Sequence, residues 1–194
     1  MNLLLEKYND YMRLEGCHVE YKLDGGTMIE FSFKEENFLH LIGLHKLTDI
    51  QLIQFWLDRN IKTIKLHDVI RKIKNETFTD SMVKGSVFFH KIQQRYESFS
   101  YANLTTLNYT DAIIDFNASL VNSKLKSDYI LFEEKPTGEY NHMGVAYNSL
   151  SGSRYVETFI HEPSGKYLNG QTIVKVKECR MIDKKGNIII EDSY

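Results

Sequence analysis

The sequence predicts an α+β fold, in which an N-terminal hairpin and helices pack on a C-terminal antiparallel sheet. Three observations point there: two alternating runs flank Asp24-Gly25-Gly26, helical spacing dominates to about Ser98, and period-two alternation takes over from about Asp111. Side chains of a helix return to one face about every 3.6 residues and those of a strand every second residue, so the change of period marks a change of element.

Each element follows from its own pattern. Leu3, Leu4, Tyr8, Tyr11 and Met12 recur at three- and four-residue spacings, which predicts a short amphipathic helix ended by Gly16. Residues 18–23 and 28–33 alternate on either side of a turn whose glycines supply positive dihedrals. In the second run Ile29, Phe31 and Phe33 face one way and Met28, Glu30, Ser32 and Lys34 the other. Residues 37–44 are too densely apolar for an exposed element, and Phe38, Leu41 and Ile42 share a stripe, so a buried helix is expected. Thr48 or Asp49 can cap a helix through Gln51, Leu52, Phe55 and Trp56. Further helices are expected over 63–74 and 86–98, the latter with Phe88, Phe89, Ile92 and Tyr96 inward. Beyond Asp111, the runs AIIDF, DYILFEE, YNHMGVAYN, RYVETFIHE, QTIVKVKECRMI and NIIIED read as strands separated by Pro, Gly and Asn turns. Without a repeat or linker, residues 1–194 read as a single domain, helix-rich over 1–105 and strand-rich over 106–194; two small lobes with a cleft are the alternative.

Bulk properties exclude several classes. A chain of 194 residues, 42% hydrophobic and 26% charged, buries a sizeable core, which argues against disorder and fibrous repeats. Cys17 and Cys179 sit in no paired motif, so neither a disulfide framework nor a zinc site is expected, and reduced thiols fit best. The apolar run Leu3 to Leu5 is too short for a signal peptide or membrane span, so a cytoplasmic location and no membrane partner are expected. A net charge of −2 supplies no global field for docking on nucleic acid, so any such site must be local. The basic run over 59–74, with Arg59, Lys62, Lys65, Arg71, Lys72 and Lys74 against Asp68, reads first as a solvated helix face.

Phosphate-binding glycine loops, paired-histidine zinc helices, calcium loops and nucleophile elbows are absent, so no cofactor and no metal are expected. Attention falls on NFLHLIGLHK, residues 37–46. His40 and His45 are five residues apart, about 140° around a regular helix, which rules out a simple helical metal pair. If Gly43 breaks the helix, His45 can swing back toward His40. A single histidine in an apolar stretch is ordinarily a packed side chain, but two of them with Lys46 shift the balance toward function. Arg95, Lys124, Lys126, His142, Thr158 and His161 are the other candidates, although strand propensity alone explains Thr158. Tyr129 and Tyr167 are of a type that stacks a base, though strand tyrosines are more often buried.

Together HLIGLHKL, FFHKI, SKLKSDYILFEE and YVETFIHE resemble a phage and mobile-element family named for its barnase, EndoU, colicin and RelE-like nuclease fold. The likeness runs from about Glu20 through Lys177 and carries no short diagnostic signature. It implies a small, metal-independent RNase-like domain with helices on one face of an antiparallel sheet and an active site on the open face. It also implies His40, Lys124 and Lys126 as site residues, followed by Arg95 and Thr158. Cleavage of RNA needs a base for the 2′-hydroxyl proton, an acid for the leaving oxygen and cations for the developing charge. On this reading His40 is base or acid, exchanging roles with His45 or His142, while Lys124, Lys126 and Arg95 hold phosphate. RNA is then the expected partner, with an antitoxin or host defence protein as a second. The competing expectation is a non-catalytic phage-encoded inhibitor that binds a host defence protein or nucleoprotein, which the net acidity favours.

Overall fold

The computed structural model describes residues 2–60, 63–105 and 109–194; Lys62 of the basic run lies outside them. In chain order the helices are α1 (Leu3–Met12), α2 (Phe38–Leu41), α3 (Gln51–Leu57), α4 (Leu66–Lys74), α5 (Asp80–Lys84), α6 (Gln93–Ser98) and α7 (Tyr101–Thr105). The strands are β1 (His18–Leu23), β2 (Met28–Ser32), β3 (Asp111–Ile114), β4 (Tyr129–Glu134), β5 (Tyr140–Asn148), β6 (Ser153–Glu162), β7 (Thr172–Ile182) and β8 (Ile188–Ser193). The chain forms two compact units, one of Met1–Leu14 with Glu35–Asn103 and one of Glu15–Lys34 with Leu104–Tyr194.

The helical unit is built on aromatic packing. Tyr11, Phe38 and Phe99 meet with ring centroids 5.5 to 6.0 Å apart, and all three are fully buried. The Lys7 ammonium reaches into this unit and donates to the Phe99 carbonyl at 2.8 Å. On α4, Val69, Ile70 and Ile73 are buried, while Arg71 and Lys74 pair with Asp68 and Glu35 at 2.7 and 2.9 Å. Part of the basic run is thereby neutralised within its own unit. The helix expected over 86–98 is instead a 3₁₀ turn, Phe89–Lys91, followed by α6.

The second unit is a β-barrel. Strand order β1-β2-β6-β5-β4-β3-β7 closes through pairing of β7 with β1, and β8 adds to the far edge of β7. Every pairing is antiparallel except β2 with β6, which meet in parallel at Ser32 and Tyr155. Cross-strand partners Val19, Phe31 and Met181, together with Leu131, Met143 and Phe159, are at most 2% exposed and line the inner face. On the outer face Ile113, Ile130 and Phe132 form a second buried cluster covered by Phe116, Leu125, Tyr140 and Leu168. Because β5 is covered on both faces, it is buried continuously from Asn141 to Ala146.

This architecture corrects the expected one. Helices and a hairpin packed on an open antiparallel sheet, RNase-like in form, are replaced by a closed seven-stranded mixed barrel with one additional strand. The expected hairpin does form, with β1 opposite β2 from His18/Ser32 to Lys22/Met28. Its two free edges then bridge β7 and β6, which removes the sheet edges that an open arrangement exposes. Among the described residues, no helix is long and apolar enough to cross a membrane.

Candidate functional site

The helical unit brings three of the candidate residues together. Helix α2 buries Phe38, Leu39 and Leu41 completely, as does Ile42 beyond it, and this anchoring fixes the backbone that carries His40. Gly43 then turns left-handed, with φ 91°, and the chain continues into a 3₁₀ turn over Leu44–Lys46. Reversal at Gly43 brings the imidazoles of His40 and His45 to 4.8 Å between centroids. A side chain at Gly43 has no room, because its Cβ would lie 2.9 Å from Ile92 Cγ2 and 3.2 Å from Arg95 Cδ. The approach of the 92–95 segment and the turn of the histidine segment thus depend on the same missing Cβ.

Two more side chains complete the cluster. The Trp56 indole from α3 lies 5.3 Å from the His40 ring, and Arg95 Nη1 donates to the His40 carbonyl at 3.5 Å, the long end of a hydrogen bond. His45 is half-buried and His40 keeps an exposed face. Burial pushes the His45 pKa down to about 3, with further lowering from His40, Arg95 and Lys46 and a weak opposing contribution from the Leu39 backbone. Its Nδ1 is buried without a hydrogen-bond partner. Burial also lowers the pKa of His40, and because solvent reaches one side of this ring the desolvation is partial. Both imidazoles are therefore neutral at pH 7, and His40 is the more readily protonated.

The remaining candidates belong to the barrel unit. His142, wholly buried on the outer face of β5, bonds through Nε2 to Glu162 Oε1 at 3.1 Å, and Glu162 in turn accepts from Ser164 Oγ at 2.8 Å. Its ring packs among Phe132, Tyr140 and Tyr167 at 5.3 to 6.0 Å. Burial lowers the His142 pKa and the bond to Glu162 offsets this only in part, so a neutral ring donates Nε2–H to the carboxylate. Thr158 is 5% exposed, and its Cγ2 fills the space beside Gly144, a packing role. Lys124 and Lys126 are exposed on the segment before β4, where Glu157 binds the main-chain N–H of Lys126 at 3.0 Å. His161 Nδ1 lies 2.8 Å from Asn141 Oδ1.

Sequence reasoning placed Trp56 only as a helix residue and did not single out Glu162. Neither has a local signal: Trp56 reaches His40 across sixteen residues of sequence, and Glu162, opposite Tyr140 in the register of β5 with β6, meets His142 on the diagonal. Among the described residues no group of three His, Cys, Asp or Glu side chains is arranged to hold a metal ion. No protein-family model, curated protein or solved structure matches the chain.

Proposed function

We propose that the helical unit acts on RNA at His40 by metal-independent acid–base chemistry. The supporting observation is the convergence of an exposed neutral imidazole, a second imidazole at 4.8 Å, an indole at 5.3 Å and a guanidinium on the His40 carbonyl. Neutral His40 is in the correct state to take the 2′-hydroxyl proton as the 2′-oxygen bonds to phosphorus, and the 5′-oxygen that leaves takes its proton from solvent water. Arg95 supplies a permanent positive charge for the phosphate, and the flat face of Trp56 suits a base. His45 is held neutral, and its proximity discourages a second proton on the pair. It serves the site by packing against the His40 ring rather than as the general acid.

That last point favours a second reading. Cleavage requires a proton for the leaving 5′-oxygen, and both histidine pKa values are lowered, which weakens the expected exchange of acid and base roles between them. A protein that binds RNA or a host nucleoprotein without cleaving it uses the same aromatic and cationic groups and needs no acid. The two readings separate on one experiment, incubation of purified protein with RNA in chelator. Cleavage that disappears in His40→Ala, and whose rate holds through the ordinary histidine range and falls only at lower pH, because burial lowers the His40 pKa, supports the ribonuclease. Intact RNA, or equal cleavage by wild type and His40→Ala, overturns it.

A further inference from the structure

The barrel closes without β8. Strand β7 gives one edge to β1 over Val176–Ile182 and the other to β8 over Glu178–Ile182, and among the described residues no second strand pairs with β8. One edge of β8 is therefore bare. The Tyr194 N–H donates to the Lys177 carbonyl at 2.7 Å, and main-chain groups of a strand alternate in direction, so those of Ser193 and Glu191 point to the bare edge. Three consecutive isoleucines, Ile188 to Ile190, occupy the first half of this strand, with Ile188 53% and Ile189 48% exposed. β-Branched residues beside unsatisfied main-chain groups are the setting in which a further strand adds.

The charges around β8 indicate which strand that is. Lys184 and Lys185 lie in the turn before the isoleucines, and Glu191 and Asp192 follow them. Asp183, in the same turn, has its carboxylate occupied by Asn187 and by the N–H groups of Lys185 and Asn187. Lys184 pairs with Glu15 and Glu191 with Arg180, while Lys185 and Asp192, both exposed, form no ion pair among the described residues. The segment is thus basic at one end, apolar in the middle and acidic at the other. A parallel copy would set like charges together. An antiparallel copy sets the lysine turn of each chain beside the acids of the other and brings the isoleucines into contact at the centre.

We propose that β8 is a dimerisation edge, on which β8 of a second copy of this chain lies antiparallel about a two-fold axis through the isoleucines. Each contact is made twice, with Lys185 of either chain drawn to Asp192 of its partner. Because each copy covers the bare edge of the other, assembly stops at two and does not extend into a filament. The overlap is only a few residues long, so the dimer is weak and builds up with concentration.

Sedimentation equilibrium of the full chain over about 1 to 500 μM tests this. The mean mass is expected to rise with concentration from the 22.7 kDa of one chain toward twice that value. Ile189→Lys, which places like charges at the axis, is expected to stay monomeric across the range. Lys185→Glu and Asp192→Lys are each expected to raise Kd about tenfold, because both set like charges at each end of the pairing. An equimolar mixture of these two variants is expected to regain the wild-type mass, since unlike charges then face each other at both ends, and a damaged fold cannot give recovery on mixing. A monomer at every concentration, or a dimer that Ile189→Lys leaves intact, overturns the proposal. Loss of the dimer in both charge variants with no recovery on mixing overturns the antiparallel arrangement.

Discussion

Gly43 is the residue on which the candidate site turns. With φ at 91° and Ile92 Cγ2 2.9 Å from where a Cβ would be, alanine there meets both backbone strain and a clash. Gly43→Ala is expected to cost about 1–3 kcal/mol of stability and to separate the two imidazoles. Urea denaturation measures the first effect; the second appears as a His45 pKa that rises toward its ordinary value in an NMR titration. His45 also makes a signed prediction. Its folded pKa of about 3 lies below the unfolded value near 6.5, so between these limits the unfolded chain binds more protons than the folded one. The contribution is complete above pH 6.5 and is lost as pH falls toward 3. In His45→Gln the urea midpoint should depend less steeply on pH across that window, and an unchanged slope would mean that the ring is more solvated than its surroundings indicate.

At the scale of elements, strand β5 shows how tightly the barrel wall is packed. Gly144 sits where Ser127 Oγ crowds from one side and Thr158 Cγ2 would be 2.8 Å from an added Cβ. Gly144→Ala is therefore expected to destabilise the barrel by about 1–3 kcal/mol through overpacking, although alanine is ordinarily the better residue in regular structure. A thermal melt decides this, and a neutral or stabilising result would mean that Ser127 moves aside without losing its bond to Glu157, now 2.5 Å. The helix expected over 37–44 illustrates the limits of pattern. Apolar density correctly marked a buried segment, with Phe38, Leu41 and Ile42 all fully buried. It did not show that helix would stop at Leu41 and reverse at Gly43.

For the whole molecule, the hairpin and the later strands are far apart in sequence and adjacent in the barrel. His18 pairs with Ile182, and closure depends on such pairings. Non-local contacts of this kind make folding slow, because the loop between the partners is ordered before the contacts reward it. Each compact unit has its own buried residues, and a core truncation should report on the unit that contains it. Phe159→Ala, at a fully buried position on the barrel's inner face, is expected to cost about 3–5 kcal/mol. Its loss of amide protection should concentrate in Glu15–Lys34 and Leu104–Tyr194. Uniform loss throughout the chain would instead show that the units unfold as one.

Much of this was legible from residues alone. Alternation in 18–33 and the Asp24-Gly25-Gly26 turn specified the hairpin and its buried face, where Ile29, Phe31 and Phe33 are at most 2% exposed. Five-residue spacing with an intervening glycine indicated how His40 and His45 come together, since both the helical angle and the freedom of Gly43 are local properties. Period-two runs after Asp111 likewise located the strands of the second half. Tertiary structure alone decided that the hairpin closes a barrel rather than decorating a sheet. Strand alternation states which face is buried and is silent about which edge meets which, and backbone hydrogen bonds across edges carry no side-chain signature. For the same reason only the folded chain could set Trp56 beside His40 and give His142 to Glu162.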